Sequence, residues 1–484
     1  MPTQLKLPEF AAVPVRPRRK AGAFWKHRPQ YKFVFSRSGV CSRAVTPSSS
    51  RCPDFVAQES YFDFRPFAGI ANHPISRTEA DLISIFQALY LADRYAPRRP
   101  NGDSHSAFWR RSIEVEIRVA RPSLFESIKA ELLDALDFLT EDDWDIRFSA
   151  DRLPLSEELH EQADLNLTRP EWVALFSGGL DCSAGIAHMI DEGHGPGLLV
   201  SGYTHSRLRW DQKDLVALFQ NIAGIPIRHL AFGYGMPQRV EPSSMESSQR
   251  CRALMHVGCG LIAARRSGLS RLQMFENGIG AFNLPCNSAQ FGSQNSRAAH
   301  PVFLSRFCKF VSSALQTAVE VDNPFVLMTK GETLRDLEIG RWERLLSKSF
   351  SCDFYPNRMS KSRQCGTCPS CLIRRAGFLS SGFMDPAANY SFDVFGSALS
   401  KRKEKLSANF SRVNQFAQRV RSGLSVDNPW AGIQSTFIDL LEYDSEIAAA
   451  LSIGPDEIGP QFCMLLNGFA EEWKTFAAQV ESPS

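Results

Sequence analysis

The chain has 484 residues, 43% of them hydrophobic, with 55 Lys+Arg against 52 Asp+Glu and a formal net charge of +3. At roughly 100–200 residues per domain this length allows two to four domains, and so ordinary a composition excludes wholesale disorder or a fibrous repeat. The longest apolar run, Leu254 to Ala264 between Arg252 and Arg265, falls short of the ~18–20 residues of a membrane span; with no secretory segment near the start, a soluble cytoplasmic protein without membrane contact is expected.

The charge is unevenly spread. Residues 1–52 carry eleven bases and one acid, Glu9, net +10, while the other 432 residues carry 44 bases and 51 acids, net −7. The basic stretch is Pro- and Ser-rich and aperiodic, which predicts a flexible or weakly packed arm over 1–52. Its possible roles are a nucleic-acid or partner-binding arm, an organellar transit peptide, an upstream start or a plain solvated extension. The acidic body argues against nucleic-acid binding by the core.

Residues 53–165 read as a small α+β domain. It holds an amphipathic stretch at Glu79–Leu91, an alternating strand at Ser112–Ala120 (Ile113, Val115, Ile117, Val119), a helix at Phe125–Leu139 and a strand at Trp144–Phe148. From residue 166 to 349 strands and helices alternate. Strands are predicted at Trp172–Phe176, Gly197–Tyr203, Ile225–Phe232, Leu272–Phe275 and Phe325–Met328, with helices at Leu180–Asp191, Trp210–Ile222, Ser248–Ser267 and 301–319. This rhythm predicts an α/β fold with a doubly wound parallel sheet. Residues 350–380 form a cysteine-rich segment, and 381–484 a helical C-terminal region ending in the amphipathic stretch Gln461–Val480.

The segment Phe176-Ser177-Gly178-Gly179-Leu180-Asp181-Cys182-Ser183 lies between a predicted strand and a helix. Two glycines let the backbone approach an anion, and helix N-terminal N–H groups point at it. Asp181 would repel bare phosphate, so it is expected to hold Mg²⁺ or brace the loop. No Gly-Lys-Ser/Thr follows, so this is not a Walker A loop. Cys352, Cys365, Cys368 and Cys371 supply four thiolates, suited first to structural Zn²⁺ and second to an iron–sulfur cluster. Glu276 and Asn277 follow a predicted strand, where open α/β sheets bind ligands. Lys330, Arg250 and Arg252 are candidates for phosphate or carboxylate contacts; His300 reads as a capping or packing residue.

The strand–Ser-Gly-Gly-x-Asp–helix loop resembles that of PP-loop ATP pyrophosphatases, in which Ser usually stands where this chain has Cys182. Together with Cys365-Gly366-Thr367-Cys368-Pro369-Ser370-Cys371, Arg374, Gly377-Phe378, Asn323-Pro324-Phe325 and Thr329-Lys330-Gly331-Glu332, residues 172–378 resemble the 7-cyano-7-deazaguanine synthase (QueC) family. Arg252 matches the Arg of that family's Arg-Asn pair, with Ala253 in place of Asn, and the family's Tyr-Pro-Asp-Cys-Arg block has no clear counterpart. The long flanks, and Glu471-Glu472-Trp473 with Phe476, are similar to the QatC type of bacterial anti-phage systems. The resemblance implies the PP-loop adenine-nucleotide fold, with ATP, Mg²⁺ and Zn²⁺. It assigns residues 176–183 to nucleotide binding, Asp181 and Lys330 to catalysis, Arg252, Glu276 and Asn277 to substrate, and the four cysteines to metal. The implied activity is adenylation of 7-carboxy-7-deazaguanine or a related 7-deazapurine and its transfer to ammonia or to an amine of a partner or co-encoded defence protein. A PP-loop enzyme acting on tRNA, by thiolation or lysidine formation, and an inactive QueC-like scaffold are the alternatives.

Overall fold

Alternating burial organises the first sheet. In the computed structural model, which describes residues 31–36, 43–45, 61–71, 74–98, 110–151, 168–235, 245–285, 296–356, 364–396 and 404–481, β1 (Tyr31–Ser36) buries Tyr31, Phe33 and Phe35. It runs parallel to β4 (Ser112–Val119), which runs parallel to β5 (Asp143–Ala150); β2 (Arg43–Val45) closes the other edge antiparallel to β1. α3 (Pro122–Thr140) makes the crossover between β4 and β5. The expected arm over 1–52 is thus corrected at 31–36 and 43–45. Basic residues punctuate these stretches, and the alternating aromatic face of β1 becomes visible only where Phe33 and its neighbours meet a partner strand. The rest of that arm, and the boundary expected near residue 165, lie outside the described residues.

A capping box starts α2 (Arg77–Tyr95): Glu79 N–H donates to the Ser76 hydroxyl, and the Glu79 carboxylate accepts from Ser76 N–H. Preceded by the short β3 (Tyr61–Phe62) and α1 (Arg65–Ala68), this helix is buried almost all round. Charges buried beside it are paired. Arg111 meets Asp93 at 2.7 Å, and Asp142 accepts from Arg98 at 2.8 and 2.9 Å.

The second sheet has the order β10-β9-β6-β7-β8-β3. β6 (Trp172–Leu175), β7 (Gly197–Tyr203), β8 (Ile227–Gly235), β9 (Arg271–Gln273) and β10 (Glu320–Asp322) are parallel, and β3 is antiparallel at the edge. The connections are α4 (Leu180–Asp191), α5 (Ser206–Ala223), α6 (Arg252–Arg266), and the pair α7 (Gly278–Phe282) and α8 (Pro301–Leu315). Both faces are buried: Val173, Leu198 and Val200 join one apolar cluster with α6, and Trp172, Ala174 and Leu199 join another with α4 and α5. The strand sequence runs outward from β6 in opposite directions, so the carboxyl ends of β6 and β9 flank a crevice.

One predicted strand is corrected. Phe325–Met328 is a run of turns, and the strand lies upstream at β10. Asn323 explains it: its side chain accepts from Phe325 N–H at 3.3 Å, and Pro324 sits inside the turn. Beyond lie α9 (Glu332–Arg335), α10 (Ile339–Lys348), α11 (Pro369–Ser381), α12 (Glu404–Leu424), α13 (Pro429–Thr436), α14 (Ile438–Leu451) and α15 (Pro455–Glu481). The cluster that holds the first sheet and α6 continues into α12, α14 and α15. No described helix is long and apolar enough to cross a membrane.

Candidate functional site

β6 delivers the chain to the glycine loop. Gly178 has φ +87°, and a Cβ there would lie 2.3 Å from the Phe350 ring, so only glycine fits. Gly179 is the N-cap of α4 and provides no side-chain cap. The first helical bond of that turn is Ser183 N–H to the Gly179 carbonyl, at 3.1 Å. The amides of Leu180, Asp181 and Cys182 precede it, at the positive end of the helix. Ser183 Oγ is fully buried without a hydrogen-bond partner among the described residues. Uncapped amides and an unused hydroxyl fit a polyphosphate. Phe176 and Leu180 are buried beneath the loop, and Gln212 ties down the Ser177 carbonyl at 3.2 Å. The Cys182 thiol lies 3.4 Å from Ser177 Oγ and donates to the Gly179 carbonyl at 3.2 Å. Burial pushes its pKa up, which keeps the thiol protonated as it braces the loop.

Four of the predicted residues converge in the crevice. Lys330 Nζ donates to both oxygens of Asp181, at 2.6 and 2.5 Å, with both residues buried. Asn277 Nδ2 reaches Asp181 at 3.0 Å and Glu276 at 3.4 Å, while its Oδ1 accepts from Gly280 N–H to cap α7. The Asn277 amide is therefore already engaged, as a brace for Asp181. Burial, and secondarily the Asp181 charge, raise the Glu276 pKa to about 8, against an opposing pull from Lys330. At neutral pH its carboxyl is mostly protonated and offers both a donor and an acceptor. A Cβ at Gly280 would lie 2.0 Å from Glu276 Oε1, so glycine makes the room. The Asp181 carboxylate fits a Mg²⁺ that takes its remaining ligands from phosphates and water.

The other candidates separate. Arg252 opens α6 and donates through Nε to the Tyr234 hydroxyl at 3.0 Å and to His256 at 3.4 Å; no described carboxylate lies within ion-pair distance. Burial, with Arg252, lowers the His256 pKa to about 3, so these neighbours leave the guanidinium charge uncompensated. Arg250 instead turns to the Thr140 carbonyl at 2.8 Å and Glu141 at 3.7 Å. His300 caps α8, accepting from Val302 N–H at 3.3 Å, and packs between Phe138 and Phe282. Its pKa is driven well down by burial.

The sulfurs of Cys352, Cys365, Cys368 and Cys371 lie within 4.8 Å of one another, and those of Cys365 and Cys371 are 3.8 Å apart. Four metal–sulfur bonds of about 2.3 Å in a tetrahedron require sulfurs about 3.8 Å apart, so the cluster fits a single ion. Backbone amides of Thr367 and Cys368 donate to the Cys365 sulfur at 3.3 and 3.2 Å. Gly366 (φ +77°) lets the turn pass the Phe392 carbonyl. This segment is joined to the glycine loop: Phe350 N–H donates to the Gly178 carbonyl at 2.9 Å, and Tyr355 packs on the Phe350 ring. α11, which starts inside the cluster, lays Gly377 against the Lys330 stem.

Three contributors were not among the predicted site residues. Asn323 fixes Glu276 by accepting from its N–H at 3.1 Å and donating to its carbonyl at 2.9 Å. Its place before a proline was the available signal. Gln212 and Phe350 carried none, because their relation to the loop is purely tertiary.

A family model described as "Queuosine biosynthesis protein QueC" matches residues 294–382. A 7-cyano-7-deazaguanine synthase of Syntrophobacter fumaroxidans (strain DSM 10017 / MPOB) is 30% identical over 93 residues, which are 18% of this chain and 37% of that relative. The chain thus matches little more than a third of the relative's length. The family segment contains Lys330 and all four clustered cysteines, and stops short of the glycine loop, Glu276 and Asn277.

Proposed function

We propose that the chain is a QueC-like, ATP-dependent synthase of the PP-loop type that activates a carboxylate as its adenylate and passes it to an amine. One observation carries this reading: Lys330, inside the matched family segment, converges on Asp181, in a glycine loop far outside it. A nucleotide site assembled from both halves supports a working loop over a bare glycine turn.

In this reaction a carboxylate oxygen of the substrate attacks the α-phosphorus of ATP. The bond to the β-phosphate oxygen breaks, and pyrophosphate leaves with the electron pair; an amine then attacks the acyl carbon and AMP leaves. The amides of residues 180–182 and the Lys330 ammonium stabilise charge on the departing pyrophosphate. Mg²⁺, held by Asp181, would spread the phosphate charge. Glu276, neutral at pH 7, offers its donor–acceptor pair to a purine-like edge, Asn277 positions Asp181, and Arg252 meets a carboxylate or phosphate oxygen. The four thiolates would hold Zn²⁺ with no open coordination position, which makes that ion structural.

The proposed substrate is 7-carboxy-7-deazaguanine or a related 7-deazapurine, with ammonia or a partner-protein amine as acceptor, and the long flanks favour a setting in anti-phage defence. ATP–pyrophosphate exchange tests the reading. Exchange that requires the deazaguanine carboxylate supports it. Exchange that requires tRNA would transfer the chain to another PP-loop class, and none with any carboxylate would end the enzyme assignment.

A further inference from the structure

The C-terminal helix approaches this site from behind. α15 presents Phe462, Leu465, Gly468 and Glu472 on one face at helical spacing. The Phe462 ring lies 4.5 Å from that of Phe282 in α7, and a Cβ on Gly278, the residue after Asn277, would lie 2.5 Å from Leu465. A Cβ at Gly468 would lie 3.1 Å from the Thr329 methyl. The Glu472 carboxylate accepts from the Thr329 hydroxyl through Oε1 and from Gly331 N–H through Oε2 at 3.4 Å. Those two residues flank Lys330. A Cβ on Gly331 would come within 2.4 Å of Glu472 and 2.0 Å of Ser380, so glycine is required for the carboxylate to come this close.

We infer that Glu472 is a positioning residue for Lys330: a carboxylate supplied by the C-terminal helical region that fixes the Thr329–Glu332 turn and holds the ammonium on Asp181. The inference rests on the role given to Lys330 above. Its logic lies in one hydroxyl. Thr329 has a single O–H hydrogen, and Glu472 takes it, which leaves the Thr329 oxygen free to accept from Glu332 N–H at 3.1 Å. Glu332 returns the contact by accepting from Thr329 N–H at 2.7 Å. Without Glu472 the hydroxyl can rotate, and this reciprocal cap loses its anchor. A lysine on a four-carbon stem keeps one geometry only while its backbone and stem are both held.

The charged groups that face Glu472 are Glu332, which raises its pKa, and Arg335, which lowers it; α11 contributes the uncharged Ser380. Burial is the largest influence, and the carboxyl is raised to about 7. The ionised form accepts from both donors, whereas protonation uses up one acceptor position. The hold on the turn therefore strengthens as pH rises through 7.

The test compares full-length wild type, Glu472→Gln and Glu472→Ala. Amide hydrogen exchange of residues 329–335 should quicken at least tenfold in Glu472→Ala with the rest of the fold protected as in wild type; unchanged protection there overturns the inference. In the pyrophosphate-exchange assay, Glu472→Ala should lose at least tenfold in kcat with its KM for ATP within threefold. Glu472→Gln, which keeps an acceptor for Thr329, should recover most of that loss and lack the rising limb of the pH profile near 7. A kcat within twofold of wild type in Glu472→Ala, or equal losses for Gln and Ala, would refute the positioning role. If wild type shows no pyrophosphate exchange, the functional reading fails, and the amide-exchange comparison still decides whether Glu472 fixes the turn.

Discussion

Lys330 and Asp181 form a buried pair whose two members bear differently on stability and on chemistry. Removing one partner of such a pair leaves the other charge desolvated, typically costing about 3–5 kcal/mol, whereas replacing both with neutral groups is often tolerated. Lys330→Met alone should therefore lower unfolding free energy by that order, and Asp181→Asn with Lys330→Met should recover most of it. Neither protein should catalyse pyrophosphate exchange, because the ammonium that meets the leaving group is gone from both. Urea titration beside the exchange assay separates the two effects, and an active double variant would remove Lys330 from the chemistry. Cys182 makes the opposite case. Its thiol donates to the Gly179 carbonyl, a task that a serine hydroxyl also performs. Cys182→Ser should keep exchange within about threefold and stability within about 1 kcal/mol, measured by kinetics and melting. A loss of a hundredfold would mean that the thiol does more than brace the loop.

Among the elements, Phe350 connects the cysteine segment to the glycine loop, since its ring fills the space where a residue-178 side chain would stand. Phe350→Ala should cost about 3 kcal/mol by opening a cavity in that core, and stripping metal from Cys352, Cys365, Cys368 and Cys371 should loosen the same contact. The expected readings are one metal per chain by elemental analysis and at least a fivefold weaker Kd for ATP after chelation. An unchanged Kd would separate the metal from the loop. How much of this the sequence disclosed depended on distance along the chain. α4 at Leu180–Asp191 and β7 at Gly197–Tyr203 were legible to the residue, because a glycine cap and an unbroken apolar run are local signals. The cysteine spacing was equally legible. β1 was not, because Lys32 interrupts its aromatics and its partner β4 lies about eighty residues on. Phe325–Met328 reads as an apolar run, yet the Asn323–Pro324 turn outweighs that pattern. Glu276, Asn277 and Lys330 could be nominated one by one; that they share Asp181 is a consequence of strand order, which no local pattern encodes.

At the scale of the whole molecule, burial sets opposite proton preferences in different regions. His229 is lowered to about 4 and His256 to about 3, in each case first by desolvation, and His300 is driven well down. Unfolded, all three would titrate near 6.5, so between that value and their folded pKa values the unfolded chain binds more protons. Stability from this source is present above 6.5 and is lost as pH falls. Glu276 and Glu472 act the other way: raised to about 8 and about 7 from 4.5, they remain protonated in the fold where the unfolded chain has released the proton. Their contribution is full below 4.5 and is lost as pH rises through 7 and 8. The two sets oppose each other between 4.5 and 6.5, and the three histidines outweigh the two carboxyls there by roughly one proton, about 1.4 kcal/mol per pH unit. The contribution of these five groups should peak near pH 6.5 and decline on both sides. His256→Gln isolates one contributor while keeping a polar group beside the Tyr234 hydroxyl, which is 2.7 Å from the imidazole. Whatever its stability at pH 7.5, this variant should lose less than wild type between pH 7.5 and 5, by about 1–2 kcal/mol in urea unfolding. Parallel curves for the two proteins would show that His256 takes up a proton in the folded state as readily as in the unfolded one.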